Sequence, residues 1–182
     1  MKPEEAGLIE RVQRGDAAAF DEVVRLYLRR AYAVAYRILR NREDAEDLTQ
    51  EAFMAALANI STFDLGRPFG PWLFRIVVNR ALNAQKARAL RRMDPIPPDS
   101  QAPDASPEAA LEQSELGRHL AEALGALPER QQLVVRLFDL EGFSSDEIGE
   151  MLDLSAGTVR WHLHEARVAL RAALKPLKEG TS

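Results

Sequence analysis

The sequence contains no cysteine, so disulfide bonds and thiolate-bound metal sites are excluded. It also lacks any apolar run that approaches the length of a membrane span. Its first residues, Met-Lys-Pro-Glu-Glu, lack the apolar core of a signal peptide. These absences predict a soluble, cytoplasmic protein without membrane insertion. The length of 182 residues is enough for one domain or two small ones.

The residues of a catalytic or metal site are missing as well. His162 and His164 lie two positions apart on a predicted helix and therefore point to different sides, and His119 is isolated. There is no glycine-rich phosphate loop and no serine at a strand-to-helix elbow. The acids of residues 44–47 are typical of a helix N-terminus, which explains them without a metal. We therefore expect no enzyme activity, no catalytic residue, no metal and no cofactor.

Charge is distributed unevenly along the chain, although the net charge is only −4. Residues 65–93 contain seven basic residues and no acid, whereas residues 94–115 contain six acids and no base. The helix predicted from Ser155 is basic again. Two basic regions separated by an acidic tether are typical of a protein that contacts one polyanion at two places.

The stretch from Gly142 to Arg171 predicts a helix-turn-helix. Gly142 ends one helix, and Ser144 with Glu147 forms a capping box that starts the next. Ser155 caps a longer helix. The apolar stripe of that helix consists of Val159, Leu163, Ala166 and Leu170. Two capped helices joined by a tight turn, the second long and basic, are typical of a DNA-binding motif.

The opposite face of that second helix carries Gly157, Arg160, Trp161 and His164, with Glu165 beside them. An arginine, a histidine and an aromatic ring near a helix N-terminus suit the major groove of DNA. The alternative is an ordinary solvated face. Trp161 favours nucleic-acid contact, because a free surface rarely needs a tryptophan.

Three helices are predicted in the first sixty residues, over residues 4–14, over 17–40, and from a cap at Asn41. The buried stripe of the third helix consists of Ala45, Leu48, Ala52, Phe53 and Ala56. The side chains of Asp47, Gln50 and Glu51 lie away from that stripe. Considered alone, these three residues are best explained as a solvated face.

Glycine and proline predict a loop over residues 60–70, followed by a helix from Pro71 to about Arg91. Aromatic residues cluster at this loop, namely Phe63, Phe69, Trp72 and Phe74. A polar stripe on the helix consists of Arg75, Asn79, Asn83 and Lys86. Aromatic rings can stack on exposed bases, amides can form hydrogen bonds with base edges, and cations can bind phosphates. Together these interactions could open and hold a nucleic-acid strand. Alternatively, the aromatic rings pack in the core. We expect some of the rings to pack in the core and others to contact nucleic acid.

Residues 93–106 are predicted to form a flexible, acidic linker, because their prolines disfavour a helix. Helices are predicted again over residues 107–125 and from Pro128. The fold class is therefore all-α. The protein is predicted to consist of a four-helix domain and a helix-turn-helix domain, joined by the proline-rich linker.

Taken together, the motifs resemble bacterial RNA polymerase sigma factors of the extracytoplasmic-function (ECF) group over nearly the whole chain. The similar segments are residues 44–53, 63–76 with Asn79, 127–130, 142–144 with 147–148, and 157–160 with 166–167. The resemblance implies a region 2 domain over residues 1–92, which binds core RNA polymerase and recognises and melts the minus-ten element. It implies a region 4 domain over residues 107–182, which recognises the minus-thirty-five element.

The resemblance also assigns roles to individual residues. Polymerase binding is implied for Asp47, Gln50, Glu51 and Phe53. Minus-ten DNA binding is implied for Phe63, Trp72, Arg75, Asn79, Arg80, Asn83 and Lys86. Minus-thirty-five DNA binding is implied for Ser155, Gly157, Thr158, Arg160, Trp161, His164 and Arg167. The implied partners are core RNA polymerase, promoter DNA and an anti-sigma factor. The chain departs from the family at Trp161 and His162, where a small residue and an arginine are common.

One alternative is an autonomous helix-turn-helix regulator, because residues 157–163 also resemble the LuxR-type helix. That class needs neither a polymerase nor a melting loop. The first half of the chain shows no receiver or ligand-pocket pattern, which ranks this alternative lower. A helical adaptor protein would leave both basic faces unexplained.

Overall fold

The computed structural model describes residues 3–91 and 115–179, and these residues form eight α-helices and no strand. The helices are α1 (Pro3–Gln13), α2 (Ala17–Leu39), α3 (Arg42–Asn59), α4 (Phe69–Arg91), α5 (Glu115–Gly125), α6 (Glu129–Val135), α7 (Ser145–Leu152) and α8 (Ala156–Glu179). A 3-10 turn, Ile60–Thr62, follows α3, and a π-helical segment, Arg136–Leu140, follows α6. The predicted all-α class is confirmed. The predicted linker, and the first part of the helix predicted over residues 107–125, lie outside the described residues.

The described residues group into two compact units, residues 3–91 with 147–154 and residues 115–146 with 155–179. In the first unit α2, α3 and α4 pack against one another, and α1 packs against α2. Their fully buried side chains include Val23, Val34, Ala52, Leu73, Phe74, Val77 and Ala81. Helix α3 buries all five residues of its predicted apolar stripe, namely Ala45, Leu48, Ala52, Phe53 and Ala56.

Side-chain caps determine where α2 and α3 begin. The Asp16 carboxylate accepts a hydrogen bond from the backbone N–H of Ala19 at 3.1 Å. That bond, followed by the Arg11 side chain, lowers the pKa of Asp16. The Asn41 side chain accepts from the backbone N–H of Asp44 at 2.9 Å, as predicted. These caps satisfy donors that the first turn of a helix leaves without partners.

Helix α4 begins at Phe69, two residues earlier than the predicted start at Pro71. Pro71 lies within the first turn, where the backbone nitrogen would have no helical acceptor. The proline is therefore compatible with a helix that begins before it.

The second unit forms around α8, against which α5 and α6 pack. Its core includes Leu127, Val134, Leu137, Val159, Leu163 and Ala166. The Gln132 side-chain amide closes the turn between α5 and α6, since its Nε2 donates to the backbone oxygens of Gly125 at 3.1 Å and Leu127 at 2.8 Å. The π-helical segment ends near Gly142, whose φ of 69° is the left-handed conformation that glycine adopts without strain.

A turn over residues 153–155 separates α7 from α8, in the predicted helix-turn-helix order. The backbone N–H of Leu154 donates to the carbonyl of Gly149 at 2.9 Å and closes the end of α7. The Ser155 hydroxyl accepts from the backbone N–H of Thr158 at 3.0 Å, which confirms the predicted cap of α8. Within the described parts of the chain, no helix combines the length and the apolarity that crossing a membrane requires.

The cap of α3 gives a testable prediction about stability. Replacing Asn41 by alanine removes the acceptor for the N–H of Asp44 and is expected to lower the free energy of unfolding by about 1 kcal/mol. Asn41→Asp keeps an acceptor and should stay near wild type. Unfolding in urea can be followed by Trp72 fluorescence in a Trp161→Phe background, because the sequence has two tryptophans. Equal stability of the alanine and aspartate variants would contradict the assignment of this cap.

Candidate functional site

The exposed face of α3 carries the residues predicted to bind a partner protein. Asp47, Gln50 and Glu51 are exposed, and with Met54, Ala55 and Arg80 of α4 they line a shallow groove. Met54 is 66% exposed, which is unusual for so large an apolar side chain. The face therefore combines two carboxylates, an amide and an apolar side chain, as a protein interface commonly does.

The ring of Phe53 does not form part of this face. It is only 5% exposed and packs edge-on against Phe20, with 6.4 Å between the ring centroids. Its predicted role in polymerase binding is therefore limited to supporting the helix from inside. The buried Thr49 is also satisfied internally, because its hydroxyl donates to the carbonyl of Ala45 at 2.6 Å.

Two ion pairs connect α3 with α4. Arg80 pairs with Glu51 at 3.1 Å, and Arg88 pairs with Asp44 at 3.0 Å. All four side chains are partly exposed, so each pair contributes at most about 1 kcal/mol. Glu51 is predicted to bind polymerase and Arg80 to bind DNA. The two predicted surfaces therefore meet at this ion pair.

The loop between α3 and α4 is built on a cluster of three rings. The centroids of Phe63, Phe69 and Trp72 lie 5.1 to 5.5 Å apart. Phe63 is 6% exposed and Phe69 is 1% exposed, whereas Trp72 is half-buried. The ring of Phe63, predicted to contact DNA, is therefore packed inside the protein and supports the loop. Trp72 alone of the three offers part of its ring to a base.

Two residues that organise this loop were not among the predicted site residues. The Asp64 carboxylate accepts from the backbone N–H of Gly66 at 2.8 Å, and the Asp64 carbonyl accepts from the N–H of Arg67 at 3.0 Å. An aspartate two positions before a glycine is a turn signal that the sequence does contain. Gln13 donates to the backbone at the start of the loop, 47 and 50 residues away along the chain. No local pattern could have indicated that contact.

The predicted polar stripe of α4 is exposed. Its residues are Arg75, Asn79, Asn83 and Lys86. Leu73, Val77 and Ala81 are fully buried on the opposite side. The side-chain amides of Asn79 and Asn83 have no hydrogen-bond partner among the described residues, so their donors and acceptors face solvent. The stripe extends over roughly 16 Å of helix at 1.5 Å per residue.

The outer face of α8 is exposed in its first two turns. Gly157, Arg160, Trp161 and His164 are exposed, and Trp161 reaches 55%. These four residues lie opposite the buried Val159 and Leu163, as predicted.

The other three predicted DNA contacts on α8 have partners within the protein. The hydroxyls of Ser155 and Thr158 lie 2.8 Å apart and belong to the helix cap. The Arg167 guanidinium pairs with Asp139 at 3.2 Å and lies 5.4 Å from the centroid of the Phe138 ring. Arg167 therefore holds the π-helical segment against α8.

His162 turns toward the interior of the second unit. Its Nδ1 atom is buried and has no hydrogen-bond partner among the described residues. Desolvation, followed by the positive charge of Arg130, lowers the pKa of His162 below 6.5. The ring is therefore neutral at pH 7.

The lowered pKa predicts how stability depends on pH. Between pH 6.5 and the lower folded-state pKa, the unfolded chain binds more protons than the folded chain. The stability that neutral His162 contributes is thus complete above pH 6.5 and decreases as the pH falls. In thermal unfolding followed by circular dichroism, His162→Gln should lose less stability between pH 7.5 and 5.5 than wild type. Identical pH profiles for wild type and His162→Gln would contradict the expectation.

Comparison with known proteins identifies the family. The family model of sigma-70 region 2 matches residues 23–92, and the model of sigma-70 region 4 matches residues 118–170. The chain is 34% identical to the ECF RNA polymerase sigma factor SigW of Bacillus subtilis, over 93% of this chain and 96% of that protein. The chain belongs to the ECF group of RNA polymerase sigma factors. As a sigma factor it directs core RNA polymerase to promoter DNA for transcription initiation.

Other relatives agree with this assignment. The sigma factor is 40% identical to the ECF sigma factor SigE of Mycolicibacterium smegmatis, over 86% of its own chain and 63% of that protein. The solved complex of CnrH with the cytosolic domain of CnrY matches with a TM-score of 0.69 and 25% identity, over 97% of this chain and 98% of that chain. The complex of the sigma factor RpoE with the anti-sigma factor NepR from Bartonella quintana also has a TM-score of 0.69 and 25% identity, over 86% and 96% of the two chains.

The predicted family membership is therefore confirmed. The LuxR-type alternative is not favoured, because the sigma-70 region 4 model covers the helix-turn-helix of this sigma factor. The region 2 model accounts in addition for α2, α3, α4 and the loop between α3 and α4, which an autonomous regulator would not need.

Proposed function

We propose that the exposed stripe of α4 reads the minus-ten element while the adjoining loop receives a base from the opened strand. The observation that carries the proposal is the exposure of Asn79 and Asn83 on a helix within the region 2 match. An asparagine amide can donate to one atom of a base edge and accept from another. Arg75 and Lys86 at the ends of the stripe would hold phosphates. Trp72 supplies a ring face on which a base can stack.

The exposed face of α3 is the proposed site for core polymerase. Asp47 and Glu51 supply negative charge, Gln50 supplies an amide, and Met54 supplies an apolar contact. A partner surface with basic and apolar side chains would complement this set.

The outer face of α8 is the proposed reader of the minus-thirty-five element. Arg160 can donate to both acceptors of a guanine, and Trp161 can contact a thymine methyl group. Because the exposed Trp161 departs from the residue common in the family at that position, we propose that the sequence read here differs from that of most ECF factors.

Control by an anti-sigma factor is part of the proposal. It is supported by the similar structures, in which the sigma factor RpoE is bound by the anti-sigma factor NepR and CnrH is bound by the cytosolic domain of CnrY. We further propose that the protein acts in the cytoplasm and has no catalytic step of its own. The proposed domains are region 2 over residues 1–92 and region 4 over residues 107–182.

A transcription experiment tests the proposal. The purified chain is mixed with core polymerase and a library of upstream DNA fragments, and the transcripts are sequenced. Transcripts that start at a shared pair of upstream motifs are expected only when the chain is present. Binding of DNA without binding of polymerase would instead favour an autonomous regulator.

A further inference from the structure

Helix α1 contacts the loop between α3 and α4, although it precedes the residues that the region 2 family model matches. The family match begins at residue 23, ten residues after α1 ends at Gln13. Leu8, Ile9 and Val12 are buried, and α1 packs against both α2 and the 3-10 turn that starts the loop. A polar contact of α1 reaches the first end of the loop directly, and a second one reaches the other end through Tyr27 of α2.

The first end of the loop is held by Gln13. Its Nε2 atom donates to the carbonyl oxygens of Ile60 at 2.9 Å and Phe63 at 2.8 Å. A side-chain amide nitrogen has two hydrogens, so these two bonds use both of them. The carbonyl of Ile60 also accepts from the backbone N–H of Phe63 at 3.1 Å. The turn is therefore closed by its own backbone and by a donor from α1.

The second end of the loop is held through Tyr27 of α2. The Tyr27 hydroxyl donates to the Glu5 carboxylate on α1. Its ring packs edge-on against Phe69, with 5.5 Å between the centroids, and its Cε1 lies 3.4 Å from where a Cβ on Gly70 would be. Burial, followed by the bond to Glu5, raises the pKa of Tyr27, so the hydroxyl keeps its proton. Tyr27 thus joins α1 to the first turn of α4.

The tip of the loop, between these two ends, is exposed. Asp64, Gly66, Arg67 and Pro68 are all exposed, and the turn at Asp64 shapes the backbone there. We propose that α1 is a positioning element for the loop between α3 and α4 and that Gln13 is its positioning residue. The two ends are held so that the tip keeps the conformation that receives a base. This inference rests on the function proposed above for the loop.

Two substitutions at Gln13 test the inference. Gln13→Ala removes both hydrogen bonds. Gln13→Glu keeps the size and shape of the side chain but places a carboxylate opposite two carbonyl oxygens. The probe is a fluorescent single-stranded oligonucleotide with the minus-ten sequence of a promoter that the wild-type holoenzyme transcribes. The affinity of the holoenzyme should fall roughly tenfold for the alanine variant, since two hydrogen bonds are lost. It should fall further for the glutamate variant.

Gln132→Ala is the matched control. The Gln132 amide also donates to two backbone carbonyls, but in the second unit. This variant should keep wild-type affinity for the oligonucleotide, and all variants should bind core polymerase within about twofold of wild type. In the free protein, amide hydrogen exchange over residues 60–68 should accelerate for both Gln13 variants and remain unchanged for Gln132→Ala.

The outcomes separate the two proposals. If wild type binds the minus-ten oligonucleotide in preference to a scrambled one and the Gln13 variants bind it equally well, the role of α1 is wrong and the function of the loop stands. Unchanged hydrogen exchange in the Gln13 variants would also overturn the role of α1. If the wild-type holoenzyme shows no preference for the minus-ten sequence, the proposed function of the loop is wrong, and the inference fails with it.

Discussion

Replacing Asn79 and Asn83 together by alanine is expected to reduce promoter opening at least about thirtyfold, because each base contact that is lost contributes roughly 1–3 kcal/mol. Both side chains are exposed and have no partner among the described residues, so the fold should lose little stability. Affinity for core polymerase should stay within about twofold of wild type. Opening can be measured with a fluorescent base analogue placed in the minus-ten element.

The matched control for this pair is Asn59→Ala. Asn59 is an exposed asparagine at the end of α3, and its amide donates to the carbonyl of Ala55 at 2.8 Å. It is not part of the α4 stripe and should not affect opening. If the double variant loses polymerase binding and opening to the same extent, the stripe is structural and the proposed reading role is wrong.

Reversing the charges of Asp47 and Glu51 to lysine is expected to weaken binding of core polymerase roughly a hundredfold or more. The reversal removes two attractive charges and adds two repulsive ones, and close charge pairs at interfaces are worth about 1.5 kcal/mol or more. Affinity can be measured by competition with a labelled wild-type chain. Because the protein acts through polymerase, promoter-specific transcription should fall by the same factor when the protein concentration is below the dissociation constant.

Asp21→Lys with Glu22→Lys controls for the change in net charge. Asp21 and Glu22 are exposed acids on α2, so this variant alters the total charge by the same amount at a different surface. It should keep most of its polymerase affinity at 0.15 M salt. Equal weakening by both variants would mean that the net charge of the chain, and not the α3 face, determines the affinity.

Helix boundaries and buried stripes could be predicted wherever the information is local. Asp16, Asn41 and Ser155 each cap a helix through an atom three residues ahead, and that spacing can be read directly from the sequence. The start of α4 was predicted two residues late, because a proline is compatible with several positions in a first turn. The π-helical segment was not predicted, because five residues of altered winding leave the hydrophobic period nearly unchanged.

The sequence predicted which residues of the candidate site are exposed better than it predicted their contacts inside the protein. The exposure of Asn79, Asn83 and Arg160 follows from helical periodicity and agrees with the structure. The burial of Phe63 depends on which rings surround it. The pairing of Arg167 with Asp139 depends on how two separate helical segments pack. Contacts between residues far apart in sequence have no periodic signature, so they appear only once the chain is folded.

The ion pairs between α3 and α4 affect how the free protein meets bulk chromosomal DNA. Non-specific affinity for a duplex grows with the number of cations that are available to displace counterions. Arg80 and Arg88 already have carboxylate neighbours in Glu51 and Asp44. Up to two fewer cationic side chains are therefore available to contact phosphates. The net charge of the chain is also negative. Non-promoter DNA, which is in vast excess in a genome, should therefore bind the free sigma factor more weakly than the number of its basic residues alone would suggest.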